Sequence, residues 1–502
     1  MKEVEVEIIS REDIKPSSAT PSHLGIFKLC LLDHLIPAPY APIIFFYPSH
    51  TLSAENPKNN ILHLLKQSLS ETLTLFYPLA GKIKDDFSIH CNDEGANFIE
   101  AKVNCSLSEF LTHPDLVSLH KLLPCDLKIP MESYVGSYIS NIQVNVFDCG
   151  GISIGLCISH RILDGASLSR FLKVWTSMAT EENHKELVVK PELLMASSLF
   201  PMNSDDSLWF RESSMAMWGS MFKKGKFVTR RFWFSNSAIA ELKVQIMVDS
   251  SVCGDDDDMV KNPTRLEIVS AILWKSFMDA SNAQSDCCNK STQLKRASLV
   301  SQLVNLRKRI KDDEANLGCP AENAIGNLLW LAFAKSNMAD NKNNNNETRL
   351  DGLVKKLRKA LSTIDDKFIE NMRSNFTRKS TVVQSLNIKS IMIGDQENEE
   401  EEEVDCLGFS SWSNFGFYEV DFGWGKPLWV SSIGSYGSLF MNLVILVDSW
   451  FGDGIEAWVT LDEPFMAHLE TNPELLGYAI LDPSPLATGK QLDSGPWALY
   501  KI

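Results

Sequence analysis

The chain has 11 cysteines but no Cys-x-x-Cys pair. Their odd number, irregular spacing and the adjacent Cys287 and Cys288 suit neither a disulfide framework nor a zinc knuckle. A reduced, cytoplasmic protein is expected. No apolar run approaches the roughly 18 residues that a membrane span needs. The longest, Leu328 to Ala334, is far shorter. The opening Met-Lys-Glu-Val-Glu-Val-Glu alternates charge with valine, where a secretory leader would be apolar. No repeat of fixed period appears, and no Walker-type glycine loop is present to cradle phosphates. Basic residues are in deficit: 48 Lys and Arg against 64 Asp and Glu leave a formal charge of −16. That balance argues against nucleic acid as a partner.

What is present is a globular composition. The 502 residues are 44% hydrophobic and 22% charged, enough for two or three hydrophobic cores. The acidity is local, since Asp255 to Asp258 and the tract from Asp395 to Asp405 hold 12 acidic residues and no basic one. These runs, with Asn341 to Asn346, cannot build a core and are expected as solvated loops.

Val4, Val6 and Ile8 alternate with Glu3, Glu5 and Glu7, which predicts a half-buried first strand. Proline punctuates the aromatic stretch from Pro37 to Pro48. Ile61 to Phe76 has helical spacing and ends at Tyr77-Pro78-Leu79-Ala80-Gly81. Strands are predicted around Ile142 to Val146 and Ile152 to Ile158, then a helix over 167–178. Residues 194–226 show little periodicity and are taken as a crossover loop. Beyond it, strands at 227–234 and 299–306 alternate with helices at 238–248, 264–278 and 350–364. A hairpin around Gly452-Asp453-Gly454 follows. The pattern is that of a layered α/β protein.

His160 has the most informative surroundings of the ten histidines. It continues the parity of Ile152, Ile154, Leu156 and Ile158 and precedes Arg161-Ile162-Leu163-Asp164-Gly165 and a helix. Strand ends facing a helix are where α/β proteins place reactive groups. An imidazole there can act as a general base or be a satisfied structural histidine. Asp164 can orient it or anchor the turn through a cation. Far downstream, Ser410-Ser411-Trp412-Ser413-Asn414-Phe415-Gly416 leads into Asp421-Phe422-Gly423-Trp424-Gly425, 261 residues after His160.

His-x-x-x-Asp-Gly followed at this distance by Asp-Phe-Gly-Trp-Gly resembles the plant BAHD acyl-CoA-dependent acyltransferases. Tyr77 to Gly81, Val304-Asn305-Leu306-Arg307, Gly326-Asn327 and Asp453 to Trp458 support the resemblance, which runs from about residue 5 to about residue 485. The opening, with Ile14-Lys15-Pro16-Ser17-Ser18, is similar to the branch containing vinorine synthase and salutaridinol acetyltransferase.

The resemblance implies two similar chloramphenicol-acetyltransferase-like domains of mixed sheet plus helices around a central solvent channel. The expected division is residues 1–205 with His160, a crossover loop at 206–225, residues 226–485 with Asp421 to Gly425, and a tail at 486–502. It implies a monomer using acyl-CoA, with acetyl-CoA as the expected donor and no metal, and a small-molecule alcohol as acceptor. His160 would take the hydroxyl proton as the oxygen attacks the thioester. Ser410 and Trp412 would donate to the oxyanion or position the substrate. Asp164 would support His160 by pairing with Arg307, and Gly165 would permit a tight turn. Asp421, Gly423, Trp424 and Gly425 would be architectural. Thr264 and Arg265, opening a helix, would meet the coenzyme's phosphates. The cluster Lys223, Lys224, Lys226, Arg230 and Arg231 would either steer the anionic cofactor or form a solvated strand edge.

Two departures stand out. Gly416 occupies a position where proline is frequent, and the Tyr-Phe-Gly-Asn signature of the anthocyanin-acylating branch is replaced by Ile325-Gly326-Asn327. The branch resemblance implies an acetate ester of a specialised metabolite, with an alkaloid as the expected acceptor and an amide or a volatile ester as alternatives. A non-catalytic acyl-CoA-binding relative is the reading from another class. A peptide-condensing domain shares His-x-x-x-Asp-Gly, but it would need an acyl-carrier partner, and neither a carrier domain nor a linker to one is visible in these residues.

Overall fold

The computed structural model describes residues 3–37, 40–49, 57–125, 135–180, 196–202, 204–253, 259–287, 295–310, 321–337, 348–374, 402–433 and 439–488. Its two large sheets use β1 (Val6–Ile14), β2 (Tyr40–Tyr47), β3 (Ala96–Val103), β4 (Ser140–Phe147), β5 (Ile152–Ser159), β6 (Phe227–Ser235) and β7 (Lys295–Asn305). They also use β8 (Leu329–Asn337), β9 (Glu402–Ser411), β10 (Trp429–Ser431), β11 (Leu443–Asp448), β12 (Gly454–Asp462) and β13 (Ile480–Leu481). The helices that matter below are α1 (Pro57–Leu75), α2 (Gly165–Thr180), α3 (Ser204–Met221) and α4 (Arg265–Cys287).

The first sheet runs β1-β3-β4-β5-β2-β10 and the second β8-β7-β9-β11-β12-β6-β13. Both are mixed: β3 is parallel to β4, and β9 is parallel to β7 and β11. The α/β class is as expected. Strand β5 shows why its residues suit a central position. Ile152, Ile154, Leu156 and Ile158 fill the core of the first half. The alternate Ser153, Gly155, Cys157 and Ser159 are small, yet equally buried. A Cβ on Gly155 would lie 2.3 Å from the Leu122 carbonyl oxygen, so the small residues admit a chain segment against that face.

Several expectations change. The proline-marked stretch contains β2, which pairs along its length with β5, with Pro42 near its start. Strand β1 begins at Val6, and a register shift between Ile8 and Ser10 leaves Ile8 exposed rather than facing inward. The crossover at 206–225 is mostly helix α3, not loop. Phe210, Met217, Trp218 and Met221 are buried at helical spacing, and Ser214 takes the buried slot between them. That polar residue in an inward position hid the period. Glu402 and Glu403 open β9 instead of ending a loop. The Asp255 run, the Asn341 run, Glu399 to Glu401 and the tail from residue 489 lie outside the described residues.

The halves also exchange segments. Phe417, Val420, Phe422, Trp424 and Val430 join the core of the first half, and β10 extends its sheet beside β2. In return, Cys30 to Leu35 pack into the core of the second half. Asp421 to Gly425 therefore belongs by sequence to one half and by packing to the other. A third cluster lies between the sheets, where Trp429 stacks on Trp458 at 6.0 Å.

Candidate active site

Five residues separate β5 from α2, and the first is His160. Helix α2 packs through Leu168, Phe171, Leu172, Trp175 and Ala179, so its start is fixed relative to the sheet. The Trp175 indole donates to Ser68 Oγ on α1 at 3.1 Å. The turn between two immobile elements then presents His160 half-buried, with Asp164 at 1% exposure beneath it.

Asp164 faces away from the imidazole. One carboxylate oxygen accepts from Arg307 Nη1 at 2.6 Å and from the Leu328 N–H at 3.1 Å. The other accepts from the Ser167 N–H at 2.9 Å, capping α2. Arg307, 4% exposed, donates through Nη2 to Ser167 Oγ and to the carbonyls of Ala324 and Gly326 at 2.8–3.1 Å. Of the two roles open to Asp164, the geometry is that of the anchor. Its partners all lie in the second half or in the first turn of α2.

His160 takes its own partner from the same distant segment. Its Nδ1 lies 3.0 Å from Asn327 Oδ1, and Asn327 Nδ2 donates to the His160 carbonyl at 2.6 Å. An amide oxygen can only accept, so Nδ1 carries the proton and Nε2 keeps its lone pair; this tautomer follows from the hydrogen-bond network. Nε2 has no hydrogen-bond partner among the described residues. Asn327 is in turn held by Asp33, whose Oδ1 accepts from the Asn327 backbone N–H at 2.7 Å and from Nδ2 at 2.9 Å. Burial pushes the Asp33 carboxyl up to about 6. Neither residue was assigned a role from sequence. Gly326-Asn327 was only a matching motif, and the one signal at Asp33 is a charge inside the apolar Leu31-Leu32-Asp33-His34-Leu35.

Gly165 is needed for a different reason than expected. Its φ lies outside the left-handed region, but an added Cβ would come within 2.4 Å of the Phe415 ring. Ser169 Oγ donates to the Phe415 carbonyl. The loop after Trp412 thus docks on the first turn of α2, next to the His160 turn. Ser410, near the end of β9, is half-buried, and its hydroxyl has no hydrogen-bond partner among the described residues. Trp412 packs edge-on against Phe417 at 5.9 Å. Neither contacts His160 directly by hydrogen bond. Gly416 adopts φ 69°, which proline cannot reach, so this loop follows its own path where the family's frequent proline is missing.

Asp421 Oδ1 accepts from the N–H groups of Gly423 and Gly425 at 2.8 and 2.9 Å, closing a small loop. Both glycines have positive φ, 98° and 107°. Phe422 and Trp424 lean on Tyr47, whose hydroxyl donates to the Val420 carbonyl at 3.0 Å. The contacts of the segment are internal hydrogen bonds and aromatic packing.

The remaining candidates are engaged elsewhere. At the start of α4, Thr264 and Glu267 cap each other reciprocally, at 2.7 and 3.3 Å. Glu267 also pairs with Arg358. Arg265 donates to the Gly454 carbonyl at 2.6 Å. A carboxylate therefore already occupies the helix end expected to meet phosphate. In the basic cluster, Lys223 pairs with Asp462, Arg230 with Glu470 and Asp482, and Arg231 with Glu456. Lys224 and Lys226 remain on the exposed edge.

Comparison with known proteins agrees with this architecture. The Transferase family model matches residues 4–476. The chain is 41% identical over 498 residues to a limonoid 7-O-acetyltransferase of Citrus sinensis, covering 96% of this chain and 100% of that protein. It is 39% identical over 494 residues to an epi-neemfruitin B 7-O-acetyltransferase of Melia azedarach, again covering 96% and 100%. Among solved structures, that of vinorine synthase superposes with a TM-score of 0.70 at 30% identity, over 94% of this chain and 98% of that one.

The family match and the relatives, over nearly the whole chain, give the class as an acyltransferase, consistent with two mixed-sheet halves meeting at a strand-end histidine. The chain belongs to the Transferase family, that of the BAHD acyltransferases, and is an acyl-CoA-dependent O-acyltransferase of plant specialised metabolism.

Proposed function

We propose that the protein transfers an acetyl group from acetyl-CoA to a hydroxyl of a polycyclic specialised metabolite, with His160 as general base. The observation that carries this reading is the free Nε2 of a half-buried imidazole whose other nitrogen is bonded to Asn327. An alcohol is a weak nucleophile until its proton is removed, and a thioester is already activated. Nε2 takes the acceptor's proton as its oxygen attacks the thioester carbonyl carbon. The tetrahedral intermediate collapses with cleavage of the carbon–sulfur bond. The imidazolium returns the proton to the departing thiolate, leaving an ester and free coenzyme A. One positioned base supplies roughly 10²–10⁴ in rate, and positioning with oxyanion stabilisation supplies the rest.

Ser410 and Trp412 are the proposed oxyanion or positioning donors, supported by the open Ser410 hydroxyl and by the docking of their loop on α2. Thr264 and Arg265 have less support as phosphate contacts, since an anion there would have to displace Glu267. The reading is of a cytoplasmic monomer whose two substrates reach His160 from opposite ends of a channel between the halves. No helix among the described residues is long and apolar enough to cross a membrane.

The relative named as a limonoid 7-O-acetyltransferase supports a limonoid-like alcohol as acceptor. The test is thiol release from acetyl-CoA with limonoid, alkaloid, simple-alcohol and amine acceptors, with His160→Ala alongside. Release with a limonoid alcohol, lost in the variant, supports the proposal. Release only with alkaloid alcohols keeps the chemistry and corrects the acceptor. Release that persists in the variant removes His160 as base. Silence with every donor and acceptor, with coenzyme A still bound, favours a non-catalytic relative.

A further inference from the structure

We infer that Asp33 is a positioning residue for the reaction: by fixing the orientation of the Asn327 amide, it fixes the tautomer of His160. This rests on the reading of His160 as the base. The Asn327 amide can be placed in two orientations that differ by exchange of its oxygen and nitrogen. In the orientation present, the NH₂ group faces two acceptors, Asp33 Oδ1 at 2.9 Å and the His160 carbonyl at 2.6 Å, and the oxygen faces the imidazole. Flipped, the amide oxygen would lie against both acceptors with no proton between them. The NH₂ group would then face Nδ1 and demand its lone pair, moving the ring proton to Nε2. That tautomer cannot accept a proton from the substrate.

Asp33 is placed to do this and little else there. It is 3% exposed, and its Oδ1 receives both N–H groups of Asn327. Its Oδ2 accepts from the Cys30 N–H at 2.7 Å, which holds the carboxylate plane. Asn327 itself is fully buried, so water does not replace a missing partner. The chain path is also informative. Asp33 is 294 residues from Asn327, on the segment that the first half lends to the core of the second. The His160 turn and the Asn327 segment, just ahead of β8, come from different halves, and Asp33 sits where they meet.

The rival is that Asp33 only caps the short helix Leu31–His34 through Cys30. Four measurements on purified full-length protein separate the two: melting temperature, kcat, KM for each substrate, and the ¹⁵N spectrum of labelled histidine, with His160 assigned by its loss in His160→Ala. For Asp33→Ala, which removes the acceptor oxygens, kcat should fall roughly 10- to 100-fold, the usual cost of losing an orienting partner. Both KM values should stay within about twofold, as expected when only the reactive geometry is lost. The His160 signal should move from bare Nε2 towards protonated Nε2. In an Asn327→Ala background, adding Asp33→Ala should lower kcat by less than about twofold, because the two act as one unit.

A normal kcat per folded molecule with an unchanged tautomer overturns the inference and leaves the cap. So does a full, additive loss in the Asn327→Ala background, or a parent His160 already protonated at Nε2. If Asp33→Ala is not soluble, Asp33→Ser carries the same four measurements. The tautomer is read without turnover. A failure of the general-base reading, seen as activity retained by His160→Ala, is therefore distinct from a failure of Asp33 to orient the ring.

Discussion

Two short glycine-bearing turns carry the motifs of this chain, and they are held in opposite ways. The His160 turn is fixed by bonds that span the molecule: Asp164 to Arg307, 143 residues away, and His160 to Asn327, 167 residues away. The Asp421 loop is fixed by itself, through bonds to residues two and four positions on, and by aromatic packing of Phe422 at 4.9 Å from Trp175. The first turn is therefore correct only when the two halves are in register. The second closes its own backbone bonds locally, and only its rings reach across to the first half. The reactive residue has been placed where folding of the whole molecule is required to complete it.

This contrast predicts that substitutions in the two turns fail differently. The largest effect is expected at His160. His160→Ala should reduce acyl transfer by at least roughly a hundredfold, the low end for loss of a general base, with an unchanged melting temperature. The ring's polar contacts are to one side chain, so the fold does not depend on it. Near-normal turnover would remove the base from the mechanism.

Asp164→Ala comes next and should fail as a fold. Removing a buried carboxylate leaves the Arg307 guanidinium without its counter-charge, which costs about 3–5 kcal/mol. Soluble yield and the urea midpoint should drop sharply, and kcat per folded molecule should fall less. A variant that melts like the parent yet is inactive would make Asp164 part of the chemistry and erase the distinction from His160.

How much of this could be read beforehand depends on the range of each contact. His160 and its strand parity were legible because β5 alternates large and small residues locally. Arg307 as the partner of Asp164 followed from the family resemblance, not from spacing, since nothing in a linear sequence relates positions so far apart. Asn327 and Asp33 were illegible for the same reason. A charge within Leu31 to Leu35 signals a buried acid, but not which strand receives it. Helix α3 was missed because Ser214 occupies an inward slot. The destination of β10 was hidden because three residues, Trp-Val-Ser, have no period, and their sheet is chosen by pairing with β2.

The His160 side also carries a pH dependence, through His34. His34, beside Asp33, is buried near Arg161 and Arg211; burial first, then these cations, lowers it to about 4. The unfolded chain binds a proton near 6.5, so it holds more protons than the fold between about 4 and 6.5. The stability that depends on neutral His34 is fully present above that window and lost as pH falls through it, by at most about 3 kcal/mol. Asp33, raised to about 6, works with the opposite sign over the lower part of the same range. His34→Gln should therefore lose less melting temperature than the parent between about pH 7 and about pH 5. Equal losses would mean that His34 is protonated in the fold.

The smallest effect is expected at Asp421, and it is the sharpest test of the contrast. Asp421→Ala removes the acceptor of two backbone N–H groups in a half-buried loop whose glycines must hold positive φ. Each bond is worth about 0.5–1.5 kcal/mol net, and water can replace part of the loss, so about 1–2 kcal/mol of stability should go. The rings of Phe422 and Trp424 still bury against Tyr47, which keeps the segment in the core of the first half. Activity per folded molecule should then stay near the parent value, with any change confined to KM for the acyl donor. A collapse of kcat in a stably folded Asp421→Ala would show that this loop acts on the reacting atoms, and that self-contained bonding does not make it merely architectural.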